Sequence, residues 1–545
     1  MKGRVVLAVL LLTAACAILR LPGLRAFPIF GDESIHLHWA QLIRERPIEN
    51  AFLSLQDPKP PLHFWLLALF LPLSPDPVFA GRLLSLVAGV LSVPLLFVTA
   101  RELFRRVNSS TPELEALAGC TLFVLSPFFA FYQRMALAES LFTLETLLVA
   151  WLSLRLVSAC IDGSPWLARA AGLGIAMGAA MLTRQDFSYV LWTLPLLAWW
   201  VLPSRGRRTW TVFFGGLFVS ALIAFQLWAP MLLARTGPDW RIRVFHVGHY
   251  REPISLAQRT RNALQVLGWL ATYLTPPVLA AALLALLGLL LQRRRAGLFL
   301  GGWLALVVGP LLLFASLFFP RYFLGGAIPL LILAGGLAAE LLRRLFARGS
   351  SVAAKAAGVA LALAFVAWPA LDIVRPWIDW KQTTLVPIDR WQYVTGWPAG
   401  SATEDAARFT IDRARRRPIL LLTPEISGNP TDGLWVLLRH REGVSLRGTP
   451  DSIDRPVLVE APQGSGRFLL RGDIREMQPA RPEEIPPDAE VDFVCPDPVV
   501  TRQGSFATES FLAQRNPGLR LLARFENPRD PGSRESAAVV VFQLR

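Results

Sequence analysis

Residues 31–62 read GDESIHLHWAQLIRERPIENAFLSLQDPKPPL, and they closely follow an apolar run from Val5 to Leu21. That run is long enough to cross a bilayer, which makes the polar stretch the first loop of a membrane protein. Two adjacent carboxylates, Asp32 and Glu33, open the stretch, and Lys59 sits between Pro58 and Pro60 at its end. Ile35, Trp39, Leu42 and Ile43 recur at helical spacing, while Asp32, His36, Gln41, Arg44 and Glu45 fall largely elsewhere on the wheel. This is the pattern of a helix lying on a membrane surface. Asp32 and His36 are four apart, so a helix beginning at Asp32 brings both onto one face.

Outward from this loop, the whole chain is apolar. At 545 residues, 53% hydrophobic and mean hydropathy +0.43, it reads as a polytopic α-helical membrane protein. The net charge of +15 follows from Arg-rich cytoplasmic loops. No basic stripe with interleaved aromatics points to nucleic acid. Lys2, Lys59, Lys355 and Lys381 are the whole lysine set, so Lys59 stands out. Cys16, Cys120, Cys160 and Cys495 imply neither a disulfide framework nor a metal cluster. Thr13-Ala14-Ala15-Cys16 faintly resembles a lipoprotein cleavage box, but the many later spans favour an uncleaved signal anchor.

Runs of about twenty apolar residues place spans at Val5–Leu21, Phe79–Phe104, Leu114–Tyr132, Leu141–Ala159, Ala168–Leu182, Phe187–Leu202, Trp210–Leu233, Leu264–Leu291, Leu298–Phe319, Tyr322–Leu342 and Val352–Leu371. Leu62–Leu73 is too short and reads as a re-entrant or juxtamembrane helix. This makes about eleven transmembrane helices. With the N-terminus inside, the connections 101–106, 155–169, 205–208, 293–295 and 343–355 all fall inside and all are basic, as the positive-inside rule requires. Past Leu371, Pro, Asp, Glu and Arg become frequent. The expected division is a membrane domain over 1–371, with first outer loop 22–78, and a soluble outer mixed α/β domain over 372–545. Strands are expected at Ile419–Leu422, Val457–Glu460, Phe468–Leu470, Val491–Val494, Leu519–Phe525 and Ala538–Phe542. A helix is expected over Ala402–Arg417, with Ser401 and Glu404 in capping-box spacing.

Against the positive-inside rule, Arg82, Arg134, Arg184 and Arg321 sit at the outer ends of four spans, accompanied by Glu139 and Asp186. Charges at that depth face a cavity or one another, so together they predict an outward-facing pocket at the membrane surface. Carboxylates supply a base, and Lys with several Arg supplies a phosphate site. A lipid phosphate carrying a transferable group meets both requirements. The chain has no P-loop and no Gly-rich dinucleotide fingerprint.

These residues resemble the GT-C-type membrane glycosyltransferases, in particular the branch with protein O-mannosyltransferases and the aminoarabinose transferase of lipid A. The resemblance rests on Asp32-Glu33, Lys59-Pro60-Pro61-Leu62 with Phe64-Trp65, Gly81-Arg82-Leu83-Leu84-Ser85 through Gly89, and Arg134-Met135-Ala136-Leu137-Ala138-Glu139. Leu182-Thr183-Arg184, Arg321-Tyr322 with Pro329, and Gly396-Trp397-Pro398-Ala399-Gly400 complete it. The resemblance departs where relatives carry Asp at Glu139, Lys at Arg184, and Glu directly before the key lysine, a position held here by Pro58 with Asp57 one step earlier. It implies transfer of a sugar from a polyprenyl-phosphate donor to a glycan, lipid or protein acceptor on the outer face of a bacterial inner membrane. It also implies a divalent cation in some relatives, for which Asp57 with His246 or His249 are the candidates here.

On this reading Asp32 is the general base, with Glu33 and Glu139 as further catalytic candidates. Lys59, Arg82, Arg134, Arg184 and Arg321 are the candidates for the departing phosphate. Each also has a plainer role: Asp32 as a helix N-cap, Lys59 as an interfacial anchor, Arg134 with Glu139 as a clamp, Arg184 and Arg321 as scaffold. His36, His38, His246 and His249 read as interfacial polar residues ahead of metal ligands, and Trp199-Trp200 as part of the lipid belt ahead of a sugar platform. A lipid-linked-sugar flippase or secondary transporter is the alternative. It would place paired broken helices and charges near the midplane, whereas here the charges gather on one side.

Overall fold

The computed structural model describes residues 2–56, 59–106, 109–184, 187–201, 206–234, 254–292, 294–347, 352–424, 428–448, 489–497, 499–501, 504–506, 519–529 and 537–543. In chain order the helices are α1 (Lys2–Arg20), α2 (Gly31–Glu45), α3 (Leu62–Phe70), α4 (Pro77–Arg106), α5 (Pro112–Val124), α6 (Pro127–Tyr132), α7 (Ala138–Asp162), α8 (Trp166–Thr183), α9 (Ser188–Ala198) and α10 (Arg207–Ala234). They continue with α11 (Leu256–Leu274), α12 (Pro276–Leu291), α13 (Arg295–Phe314), α14 (Leu324–Ala347), α15 (Val352–Ile378), α16 (Pro387–Arg390), α17 (Ser401–Ala414) and α18 (Thr431–Leu438).

Among the described residues, eight helices are long and apolar enough to cross a membrane, or nine if α11 and α12 together make one broken span. The expected eleven are reduced by prolines. Ser126 is extended because Pro127 follows it, so the expected span 114–132 becomes α5 and the single-turn α6. Thr275, at φ +68° before Pro276, bends α11 from α12 by 115°. The expected span 187–202 holds only an eleven-residue helix, short of the roughly twenty residues a bilayer needs. Leu62–Leu73 is a short apolar helix, in line with its length.

The chain divides into two compact units. One comprises Met1–Ala26, Pro58–Leu66 and Arg82–Leu385; the other comprises Phe27–Asp57, Leu67–Gly81 and Val386–Arg545. In the first unit α8 packs along α10 and α7, and α14 along α5 and α12. Gly335 makes the approach of α14 to α5 close: a Cβ there would stand 2.3 Å from the Gly119 nitrogen. Small residues at such crossings let membrane helices gain dispersion contacts where no hydrophobic drive exists.

The second unit contains a five-stranded sheet. Its strands are β1 (Ile419–Thr423), β2 (Val444–Gly448), β3 (Glu490–Asp497), β6 (Arg520–Glu526) and β7 (Ala538–Gln543), while β4 (Val499–Thr501) and β5 (Gly504–Phe506) form a separate hairpin. The order is β2-β1-β3-β7-β6. β1 pairs in parallel with β2 and β3, and β7 runs antiparallel to β3 and β6. β1 is buried throughout, as the near-continuous apolar run Ile-Leu-Leu-Leu predicts for a parallel strand covered on both faces. Leu420, Leu422, Val491, Phe493, Cys495, Val540 and Phe542 form one core. Strand β2 escapes sequence reading because its alternation is weak, and the expected strands 457–460 and 468–470 lie outside the described residues.

The expected Ser401–Glu404 capping box does not form as such. Gly400 is the N-cap of α17, and Glu404 Oε1 accepts the backbone N–H of Ile29 at 2.9 Å. The surface helix expected after Ile35 is α2, and it packs on α18 within the second unit. Leu37, Trp39, Ala40, Leu42 and Ile43 are all buried, which explains the apolar stripe without a lipid surface.

Candidate active site

The first unit holds a pocket lined by Glu139, Arg184 and Arg321 together with Phe142, Val190, Val307 and Leu324. Three separate local structures supply the charges. Glu139 stands in the first turn of α7, Arg184 is the residue at which α8 ends, and Arg321 lies in the single turn Pro320–Phe323 before α14. Glu139 Oε1 accepts from Arg184 at 2.7 Å and lies 3.5 Å from Arg321 Nε. Aromatic rings hold both guanidiniums: Arg184 lies 4.9 Å from the ring centres of Phe187 and Tyr322, and Arg321 lies 4.7 Å from that of Phe319. Planar guanidinium ions are well suited to such stacking.

Two guanidiniums share one carboxylate in a largely apolar pocket. Phe187 and Phe319 escaped the sequence reading because aromatic residues are abundant at membrane interfaces and nothing local marks these two.

Arg134 and Arg82 are engaged differently. Arg134, buried, donates to the carbonyl oxygens of Leu19 at 2.6 Å, Arg20 at 3.3 Å and Ile373 at 3.2 Å. Arg82, also buried, donates to the Leu24 carbonyl at 2.8 Å. Arg20, which lies inside the first expected span, is buried too and donates to Gln133 Oε1 and to the carbonyls of Val124 and Phe123. The last carbonyls of a helix have no partner within it, so Arg134 closes the end of α1 and Arg20 the end of α5. Arg134→Ala is expected to remove the donor from these buried carbonyls, at about 1–3 kcal/mol for each one left unsatisfied. A clear drop in the melting midpoint of the detergent-solubilised protein is the expected result; an unchanged midpoint would contradict it.

Lys59 is half-buried and its charge acts on the buried His63. His63 is a polar residue that the motif-based reading passed over, although it follows the Lys-Pro-Pro-Leu run directly.

In the second unit Asp32 is half-buried in the first turn of α2. Glu33 is fully buried, and its Oε2 accepts the backbone N–H of Phe30 at 3.0 Å. The two adjacent carboxylates thus have different surroundings. At the other end of α2, Arg439 donates to Glu45 at 2.7 Å. Burial raises the Glu45 carboxyl, and Arg439 and His440 outweigh this, holding it below the ordinary carboxylate range. The cation candidates Asp57, His246 and His249, and the outer-side Asp186, lie outside the described residues. Among the described residues no three His, Cys, Asp or Glu side chains lie close enough to share a metal ion.

Residues 58–233 match the family described as dolichyl-phosphate-mannose-protein mannosyltransferase. The chain is 31% identical over 331 residues to an undecaprenyl phosphate-alpha-4-amino-4-deoxy-L-arabinose arabinosyl transferase of Pseudomonas aeruginosa, covering 57% of this chain and 55% of that protein. The chain therefore spans about half the length of the relative it matches. ArnT from Cupriavidus metallidurans, solved in the apo state and bound to undecaprenyl phosphate, has a similar fold. The TM-score is 0.57 at 16% identity, over 99% of this chain and 98% of that one. The archaeal oligosaccharyltransferase AglB from Archaeoglobus fulgidus, solved with an inhibitory peptide and a dolichol-phosphate, gives a TM-score of 0.51 at 10% identity, over 81% of this chain and 64% of that one. Residues 58–233 thus carry the sequence pattern of that mannosyltransferase family, and the chain as a whole has the fold of ArnT.

Proposed function

We propose that the protein transfers a sugar from a polyprenyl-phosphate donor to an acceptor at the outer face of a bacterial inner membrane. The observation that carries this reading is the trio of Glu139, Arg184 and Arg321 in a cavity whose remaining walls are largely apolar. A sugar-bearing lipid phosphate is a phosphodiester with one negative charge and a hydrocarbon tail, which guanidiniums in an apolar pocket suit. As the bond to the sugar breaks, negative charge grows on the departing phosphate, and fixed cations stabilise that change most. Arg184 and Arg321 fill this role, with Lys59 as a further cation. Arg82 and Arg134 act by holding the helices that frame the site.

Asp32 is the general base. Its carboxylate takes the proton from the acceptor nucleophile as that atom bonds to the anomeric carbon. The bond from the anomeric carbon to the phosphate oxygen breaks in the same step, polyprenyl phosphate leaves with the bonding electron pair, and the configuration inverts. Glu33 supports the turn that carries Asp32 through its hydrogen bond to Phe30.

The test is release of undecaprenyl phosphate by the purified protein in proteoliposomes, given undecaprenyl phosphate-linked 4-amino-4-deoxy-L-arabinose or mannose together with a cell-envelope extract. Release that depends on the extract supports transfer. Movement of the intact donor between leaflets with no release would replace this reading with transport.

A further inference from the structure

In sheets with parallel strands, ligands bind in the crevice beyond the carboxyl ends of the strands, where the strand order reverses. Here that point is β1, because its two neighbours are β2 and β3. The chain leaves β1 for α18 and then β2 on one side, and β3 lies on the other. Past the carboxyl end of β1 come Gly428 and Asn429, and what they hold is the start of α2. Asn429 Nδ2 donates to the carbonyls of Ile29 and Pro398, both at 2.9 Å. The backbone N–H of Gly31 donates to the same Pro398 oxygen at 2.9 Å. Glu404 accepts the N–H of Ile29. Gly428, at φ +89°, would bring a Cβ within 3.6 Å of Gly31 Cα, and a Cβ on Gly400 would stand 1.8 Å from the Ile29 carbonyl oxygen.

The support reaches further back. Asn527 donates to the carbonyls of Gly396 at 2.9 Å and Ala399 at 3.2 Å, and accepts from Ala402 N–H at 2.8 Å. It thereby fixes the Gly396–Gly400 turn. Two turns along α2, His38 Nδ1 meets Asp432 Oδ1 at 2.8 Å with both side chains fully buried. Asp432 Oδ2 accepts the Gly428 N–H at 2.7 Å. The His38 ring stacks on Trp435 with centres 5.4 Å apart.

We propose that Asn429, Glu404 and Asp432 are positioning residues for the transfer: the crevice of the sheet, in place of a soluble ligand, holds residues 29–31 and so fixes where the Asp32 carboxylate stands. The inference rests on the reading of Asp32 as the base. Asp32 follows Gly31 directly, and a side chain can be no better placed than the backbone that carries it. A displacement of about 1 Å in a reacting group costs on the order of 10²-fold in rate.

Asn429→Asp keeps the shape of the side chain and replaces a donor amide by an oxygen facing two carbonyls. The expected result is a fall in kcat of about 10²-fold with the KM for undecaprenyl phosphate-linked 4-amino-4-deoxy-L-arabinose or mannose little changed, because no side chain of the arginine cavity is altered. Hydrogen exchange of the amides at 29–40 should accelerate at the same time, while the β1 amides stay protected. A merely structural role would lower the yield of folded protein and leave kcat per folded molecule intact, which overturns the proposal. Where the variant does not fold, the wild type decides: amides of Ile29 to Gly31 as protected as those of β1 support the cradle, and exchange at the rate of an open loop overturns it. Normal turnover by a folded Asp32→Asn variant would remove the base reading. Loss of turnover in Asp32→Asn with none in a folded Asn429→Asp variant would remove the cradle alone.

Discussion

Asp32→Asn is expected to lower turnover by about 10²- to 10⁴-fold, the usual contribution of a positioned general base, while leaving the protein folded. The amide has the shape of the carboxylate and is equally at home at the start of a helix. Hydrogen bonds with Glu404, Asn429, Pro398 and Glu33 hold residues 29–31, and the substitution leaves all four of those residues in place. The lost charge near the positive end of the helix dipole costs about 0.3–1 kcal/mol. What the amide cannot do is accept a proton from the nucleophile. The measurement is undecaprenyl phosphate release per folded molecule, with the melting midpoint recorded on the same sample. Wild-type release by the variant would eliminate Asp32 as the base.

Removing the cationic wall of the cavity should have the second largest effect. Arg184→Ala or Arg321→Ala alone deletes a charge-assisted contact to the phosphate worth about 1.5–3 kcal/mol, or roughly 10- to 150-fold in kcat/KM. Both arginines share Glu139. Either single change leaves the carboxylate paired with the other guanidinium. The double variant removes both guanidiniums from Glu139, so its loss should differ from the sum of the two single losses, as is usual for side chains in one network. Kinetics of the three variants on the same donors would check this. Single variants with unchanged kcat/KM would exclude the trio from phosphate binding and leave it as a clamp between α7, α8 and α14.

Much of the architecture was legible because hydropathy is a local property. Apolar runs such as 138–162 and 207–231 declare themselves within a window of twenty residues, whatever they pack against. The same holds for β1, β3, β6 and β7, whose short β-branched or leucine-rich runs stand between Pro- and charge-rich segments. Where proline intervenes the reading is less secure. A proline breaks a helix locally, yet Pro94, Pro310 and Pro329 lie inside continuous helices, while Pro127 and Pro276 begin new ones. Neighbouring helices decide between those outcomes, and no window of sequence contains them.

The sequence by itself determined that this is a multi-pass helical membrane protein with a mixed α/β unit, and its ordered motifs pointed to the GT-C type. Tertiary structure alone decided which charges meet. Glu139 and Arg321 are 182 residues apart yet share one cavity, while Arg134, read from the same side of the membrane, turns to helix-end carbonyls. It also decided that α2 belongs with the sheet: His38 and Asp432, 394 residues apart, meet at 2.8 Å with both side chains fully buried. Apolar stripes show that a helix must cover one face, as α2 does, but are blind to what covers it, because burial in lipid and burial against a protein surface favour the same side chains.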